Sequence, residues 1–183
     1  MKKMTVLICA VAMMLMSAPL QAQKLITREG FIRFFGSTPL ENIEGVSRQA
    51  GSALDLATGE VVFQVLVNSF KFEKALMQEH FNENYAESEK FPKAIFKGQL
   101  EGDFDLRKAG KYNASLKGTM TFHGVTQPIN VPVSLEVLKD GSVKLNANFN
   151  MVPEAYEIKI PGTVRDKIAK EMEVTVSAHY KPA

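Results

Sequence analysis

The stretch from Lys111 to Val137, KYNASLKGTMTFHGVTQPINVPVSLEV, alternates in polarity over most of its length, and no other feature restricts the fold of this chain so strongly. Tyr112, Ala114, Leu116, Gly118, Met120 and Phe122 fall on one face, and Asn113, Ser115, Lys117, Thr119, Thr121 and His123 fall on the other. Side chains of a strand point alternately to opposite sides, so a period of two predicts one apolar and one wet face. A turn is expected over His123 to Pro128. Ile129, Val131, Val133, Leu135 and Val137 then resume the alternation against Asn130, Pro132, Ser134 and Glu136, as the antiparallel return strand of a hairpin. A protein built from such strands either packs its apolar faces into a solid core or encloses something apolar.

The rest of the chain repeats the theme. Strands are predicted over Phe31 to Phe35, Arg48 to Leu56, Val61 to Phe72, Ala94 to Phe104, Val143 to Met151 and Glu173 to Tyr180, separated by glycine- and proline-containing turns. The Val61 to Phe72 strand is apolar on both faces, so cover is expected outside it as well as inside. Phe72, Leu76, Met77, His80, Phe81 and Tyr85 recur at helical spacing, with Glu73, Lys74, Gln78, Glu79 and Asn82 on the other side. One amphipathic helix from Phe72 to Tyr85 is the expected cover, ended by Pro92. A short helical turn is expected within Thr163 to Lys170. The sum is an all-β, antiparallel domain of about eight strands with one helical insertion.

The amino-terminal segment has a different chemistry. Lys2 and Lys3 precede an apolar run from Val6 to Met16 and a small residue at Ala22, the pattern of a secretory signal peptide over residues 1–22. Residues 23–183 are then the exported domain, expected in the periplasm, with no further run long enough to span a bilayer. The single cysteine, Cys9, lies in the leader, so its removal takes away any disulfide, thiolate ligand or cysteine nucleophile. Loss of Lys2 and Lys3 also brings the 22 basic residues level with the 20 acidic ones, which leaves no basic excess to argue for nucleic acid.

Catalytic groupings are sparse. His80, His123 and His179 sit in different elements, and although His80 and Glu83 share a helical face, two ligands without a third make no metal site. The sequence lacks G-x-S-x-G, a phosphate-cradling glycine loop and a dinucleotide fingerprint. The acid pairs Glu87/Glu89 and Asp103/Asp105 stand among charged neighbours and read as solvated. The expectation is a protein without catalysis, cofactor or metal. An eight-stranded closed sheet is just wide enough to fill itself with side chains or to hold one small ligand. Gly118 and Ala114, small residues on the apolar face, either leave room along the axis or make space for a bulky phenylalanine from the opposite wall.

Two segments resemble a known family. Phe91-Pro92-Lys93-Ala94-Ile95-Phe96-Lys97-Gly98 and Gly118-Thr119-Met120-Thr121-Phe122-His123-Gly124-Val125-Thr126-Gln127-Pro128 are similar to the strand-entry and histidine-glycine-valine-threonine-x-proline motifs of the YceI family of exported bacterial proteins, in the same order. Leu76-Met77 and His80-Phe81 resemble the helical segment before the first motif. The likeness is closest over Thr58 to Val137. It departs at Phe31-Ile32-Arg33-Phe34-Phe35, where the family usually has a tryptophan and a histidine-serine pair, and at Val152-Pro153-Glu154-Ala155-Tyr156, where its arginine-containing strand motif is missing.

The resemblance implies an extended, lipocalin-like eight-stranded antiparallel barrel whose interior tunnel binds a polyisoprenoid or similar amphiphilic lipid, with the helix at its side or mouth. The expected wall is Tyr112, Leu116, Met120, Phe122, Val131, Val133, Leu135, Leu145 and Phe149, joined by Leu76, Phe81 and Phe96. The alternative from the residues alone is a cell-envelope interaction module with a filled barrel.

Overall fold

A computed structural model describes residues 24–182; the leader expected over residues 1–22 lies outside them. Eight strands follow in order: β1 (Lys24–Ser37), β2 (Asn42–Asp55), β3 (Glu60–Leu66), β4 (Lys93–Glu101), β5 (Gly110–Phe122), β6 (Val125–Val137), β7 (Val143–Met151) and β8 (Met172–Pro182). Each pairs antiparallel with the next, and β1 also pairs with β8, so the sheet closes into a barrel.

The hairpin of β5 and β6 pairs without interruption from Gly110↔Val137 to Phe122↔Val125. Its turn is His123–Gly124 alone, shorter than the segment expected, and both residues have positive φ, 50° and 77°. That is the mirror-image turn whose twist matches paired strands. Pro128 therefore lies within β6, opposite Thr119. A proline has no N–H to give to a second neighbour, and β6 accommodates this by pairing with β7 only from Val133 onward. Pro128 and Pro132 both fall in the stretch paired on one side.

The barrel is splayed along this seam and along a second one. β2 pairs with β3 only over Gly51–Leu54, leaving its first half joined to β1, with the single bridge Val46↔Lys71 beyond. Both seams widen toward the same end. Irregular segments wedge them apart. After β3 the chain makes a 3₁₀ turn, Val67–Ser69, where the buried Ser69 hydroxyl donates to the Leu66 carbonyl (2.6 Å) and lies 2.7 Å from the buried Ser47 hydroxyl of β2. After β7 the 3₁₀ turn Pro153–Tyr156 buries Tyr156 and, just beyond it, Ile158 against Phe122, while Gln127 Nε2 donates to the Ala155 carbonyl (2.9 Å).

At the opposite end the strands remain paired on both sides and the inward side chains meet. Leu25, Leu54, Val61, Leu135, Val143 and Tyr180 are all buried in one cluster. The Tyr180 hydroxyl sits 2.7 Å from Ser52 Oγ, which itself donates to the Val62 carbonyl (2.7 Å). The serine has one proton to give, so the tyrosine donates to the serine. Gly118 belongs to the packing of the wall: a Cβ there would overlap the Lys97 carbonyl oxygen and lie 2.5 Å from Gly98 Cα. The close crossing of β4 and β5 requires that glycine, and it opens no room along the axis.

Two expectations are corrected here. β3 ends at Leu66, and the apparent two-sidedness of Val61 to Phe72 arises because the 3₁₀ turn after Leu66 changes the phase, sending Phe70 inward although Leu66, on the same side of the count, faces out, 43 % exposed. The helix, α1 (Ala75–His80), is shorter than the predicted Phe72 to Tyr85 and continues as a wide π turn over Phe81–Tyr85, closed by Ala86 N–H donating to the Phe81 carbonyl. Lys74, which precedes it, is extended, so Phe72 belongs to the irregular segment. The helix covers the wide end of the barrel, not the outside of β3.

Candidate functional site

The fold leaves a cavity of about 450 Å³ in the wide half of the barrel. Its wall takes inward residues from the mouth-side halves of the strands: Ile32 and Phe34 of β1, Phe63 and Val65 of β3, Phe96 of β4, Leu116, Met120 and Phe122 of β5, Ile129 and Val131 of β6, Leu145 to Met151 of β7, and Met172 to Val176 of β8. The roof is supplied by the wedges and the helix, through Phe70, Phe72, Leu76, Phe81 and Ile158. A space lined this way holds water poorly, because a trapped water molecule needs two to four polar partners.

Four phenylalanines fix the roof to the wall. The Phe34 ring lies 5.3 Å from Phe70, 5.6 Å from Phe72 and 5.3 Å from Phe81, and Phe81 lies 5.0 Å from Phe72 and 6.0 Å from Phe70. These are the separations of favourable tilted and edge-on ring contacts. The charged side chains on the lining gather at the mouth: Glu41 from the β1–β2 turn, Lys74 ahead of α1 and Lys167 at the end of the 3₁₀ segment Gly162–Lys167; His80 of α1 is also on the lining. Lys74 Nζ lies 2.6 Å from Glu41 Oε1. That hydrogen bond, then the charge of Lys74 and, more weakly, that of Lys167, holds the Glu41 carboxyl below its ordinary range against a small desolvation cost, and the same pairing raises Lys74.

The rim is fastened by a third group. His123, in the β5–β6 turn, contacts Glu87 Oε2 through Nε2 (2.7 Å) and the Tyr156 carbonyl through Nδ1 (2.9 Å), with its ring edge-on to Phe91 at 4.6 Å. It faces the rim segments, and it is not among the residues lining the cavity. Among the described residues, no three His, Cys, Asp or Glu side chains gather as a metal-ligand set.

Of the expected wall residues, Leu76, Phe81, Phe96, Leu116, Met120, Phe122, Val131, Leu145 and Phe149 surround the cavity. Tyr112, Val133 and Leu135 do not. They point inward as predicted but lie in the closed half, where opposing strands converge and Val133 and Leu135 are buried in the solid cluster. Period-two alternation gives the side of a strand, not the height along the barrel. Phe34 was absent from the expected wall because Phe31-Ile32-Arg33-Phe34-Phe35 does not alternate in polarity; in the structure its ring takes the room that Gly45 leaves, where a Cβ would overlap it. The outward Phe31 and Phe35 are covered by guanidinium groups, Arg48 over one (4.9 Å) and Arg33 over the other (4.6 Å).

Comparison with known proteins agrees with this architecture. The chain is similar to a polyisoprenoid binding domain from Saccharophagus degradans at 12% identity and a TM-score of 0.75, over 89% of this chain and 100% of that one. It is similar to BcnA of Burkholderia cenocepacia at 12% identity and 0.70, over 83% and 96%. The YceI protein of Campylobacter jejuni matches at 17% identity and 0.56, over 75% and 84%. No curated relative matches the chain in sequence. At such identities these likenesses bear on the fold, whereas the family model described as YceI-like domain matches residues 25–180 directly. The motifs, the barrel and that match over most of its length place this chain in the YceI-like domain family.

Proposed function

We propose that this protein takes up the hydrocarbon tail of a polyisoprenoid or similar amphiphilic lipid in the periplasm and holds it without chemical change. The observation that carries this reading is the division of one barrel into a solid half and a hollow half lined by apolar side chains. A filled interaction module has no use for the second. The description of a structural neighbour as a polyisoprenoid binding domain supports the same reading, and the leader pattern of residues 1–22 supports export. Burying about ten methylene equivalents at about 0.8 kcal/mol each stabilises the complex by about 8 kcal/mol before ordering costs. Affinity near the micromolar range follows if the cavity is preformed.

The test is native mass spectrometry with organic extraction, on protein purified gently from its own compartment. A stoichiometric long-chain lipid is expected. Protein that arrives empty and also refuses added isoprenoids would overturn the proposal.

A further inference from the structure

We propose that the mouth selects an amphiphile with an anionic, oxygen-rich head group, held between Lys74 and Lys167 in the place that the Glu41 carboxylate occupies beside Lys74. This rests on the lipid-binding reading above and adds the class of head group to it.

The argument starts from where polarity is placed. The cavity lining is overwhelmingly apolar, and its charges sit together at the one end where a head group would remain when a tail is buried. Two cations and one anion face that point, from three separate segments: Glu41 in the β1–β2 turn, Lys74 before α1, and Lys167 at the end of Gly162–Lys167. His80 is also on the lining, and Glu73 acts on Lys74 from outside the cavity. A neutral head group would leave this arrangement unused, and a cationic one would meet two ammonium groups.

Glu41 is built to give way. Its backbone is fixed, because its N–H donates to Thr38 Oγ1 (3.1 Å) and its carbonyl accepts from the Thr38 N–H (2.9 Å) and hydroxyl (3.1 Å). Its carboxylate is tied by one hydrogen bond, to Lys74. The side chain is therefore free to rotate into solvent without moving the turn. An incoming phosphate-type group has enough acceptor oxygens to bond both lysines at once, which one carboxylate oxygen on Lys74 does not do. Glu41 on this account acts as an internal stand-in for the head group, offering a negative charge to both lysines.

The experiment measures dissociation constants of delipidated protein for a polyprenyl monophosphate and for the polyprenyl alcohol of the same length, with inorganic phosphate as a third probe. The phosphate lipid is expected to bind about tenfold more tightly than the alcohol, the scale of two partly exposed charge-assisted contacts. That preference should shrink as salt is raised. Lys74→Gln with Lys167→Gln should erase it, bringing the dissociation constant for the phosphate lipid to that for the alcohol in the same variant, and Glu41→Gln should increase it by removing the competitor. Inorganic phosphate alone should neither bind measurably nor displace the lipid, since the tail supplies most of the affinity. Equal binding of both lipids, or weakened phosphate binding in Glu41→Gln, would overturn the head-group inference and leave the carrier reading intact. Refusal of both lipids would overturn the carrier reading and this inference with it.

Discussion

His123 Nε2 lies 2.7 Å from Glu87 Oε2, and the two residues share a second peculiarity: each has a positive φ, 50° for the histidine and 42° for the glutamate. Residues with a Cβ enter that region at a cost, so both ends of the contact are held there by their surroundings. The other ring nitrogen meets the Tyr156 carbonyl at 2.9 Å. A carbonyl and a carboxylate both accept, so the ring serves both when each nitrogen carries a hydrogen. The β5–β6 turn thereby joins the segment at Glu87 to the wedge at Tyr156, and three parts of the rim become one body.

Replacing His123 by Ala should lower stability by about 1–3 kcal/mol, the range for losing such bonds beneath a mostly buried side chain. Glu87→Gln, which retains a neutral acceptor, should cost less. Urea denaturation gives the stabilities. Amide hydrogen exchange should show the loss concentrated over residues 153–158, and a uniform change across the barrel would contradict the clamp.

The Tyr180 hydroxyl is buried at the closed end, and burial pushes its ionisation far above the ordinary tyrosine value of 10.0, offset slightly by Ser52. A group whose pKa is raised on folding contributes its full stability below the unfolded value and loses it as pH rises through the folded one. The protein has four tyrosines. Tyr156 is raised in the same sense by its own burial, and phenolate absorbance is expected to show Tyr180 ionising last, only as the barrel unfolds. Tyr180→Phe should remove that last step. Ionisation of Tyr180 in the folded barrel near the ordinary tyrosine value would contradict the burial.

Glu41 shows the opposite sign. Its carboxyl is lowered from 4.5, first by the hydrogen bond from Lys74. Its contribution to the closed mouth is complete above that ordinary value and is lost as pH falls through the lowered one. Acidification should therefore raise hydrogen exchange over α1, which Lys74 precedes, while the β1–β2 turn, held by Thr38, and the closed half stay protected. Glu41→Gln should exchange faster already at neutral pH and respond little to acid.

What the residues disclosed in advance, and what they did not, follows from how far each signal reaches. The β5–β6 hairpin was legible because alternation is local: every second residue states its face, and Val143 to Met151 was placed to the residue for the same reason. The turn was misjudged because Pro128 reads as a breaker, and its tolerance depends on β7 ending its pairing at Ala147, a fact about another strand. The helix was overlong because Phe72 fits the helical period but is held in the irregular segment by Phe34 and Phe81. The division between hollow and solid halves was invisible, since Leu116 and Leu135 have identical patterning and differ only in their height relative to the splayed seams.

That difference supplies the sharpest test of the site. Leu116 is 4% exposed and borders empty space, so Leu116→Trp adds bulk where the barrel has room. Overpacking a filled core costs about 1–3 kcal/mol, and here the cost should fall at or below the lower end. Lipid uptake should fall at least about tenfold, a loss of about 1.4 kcal/mol or more in binding. Because the chain has no tryptophan of its own, the introduced indole also reports directly on whether its surroundings are apolar and dry. Leu135, 1% exposed, lies in the closed cluster away from the cavity. Leu135→Ala should cost about 2–5 kcal/mol of stability while the molecules that remain folded bind lipid as before. Uptake by Leu116→Trp equal to that of the unaltered protein would place the lipid somewhere other than this cavity, and impaired uptake by folded Leu135→Ala would mean that the tail reaches into the half assigned here as solid.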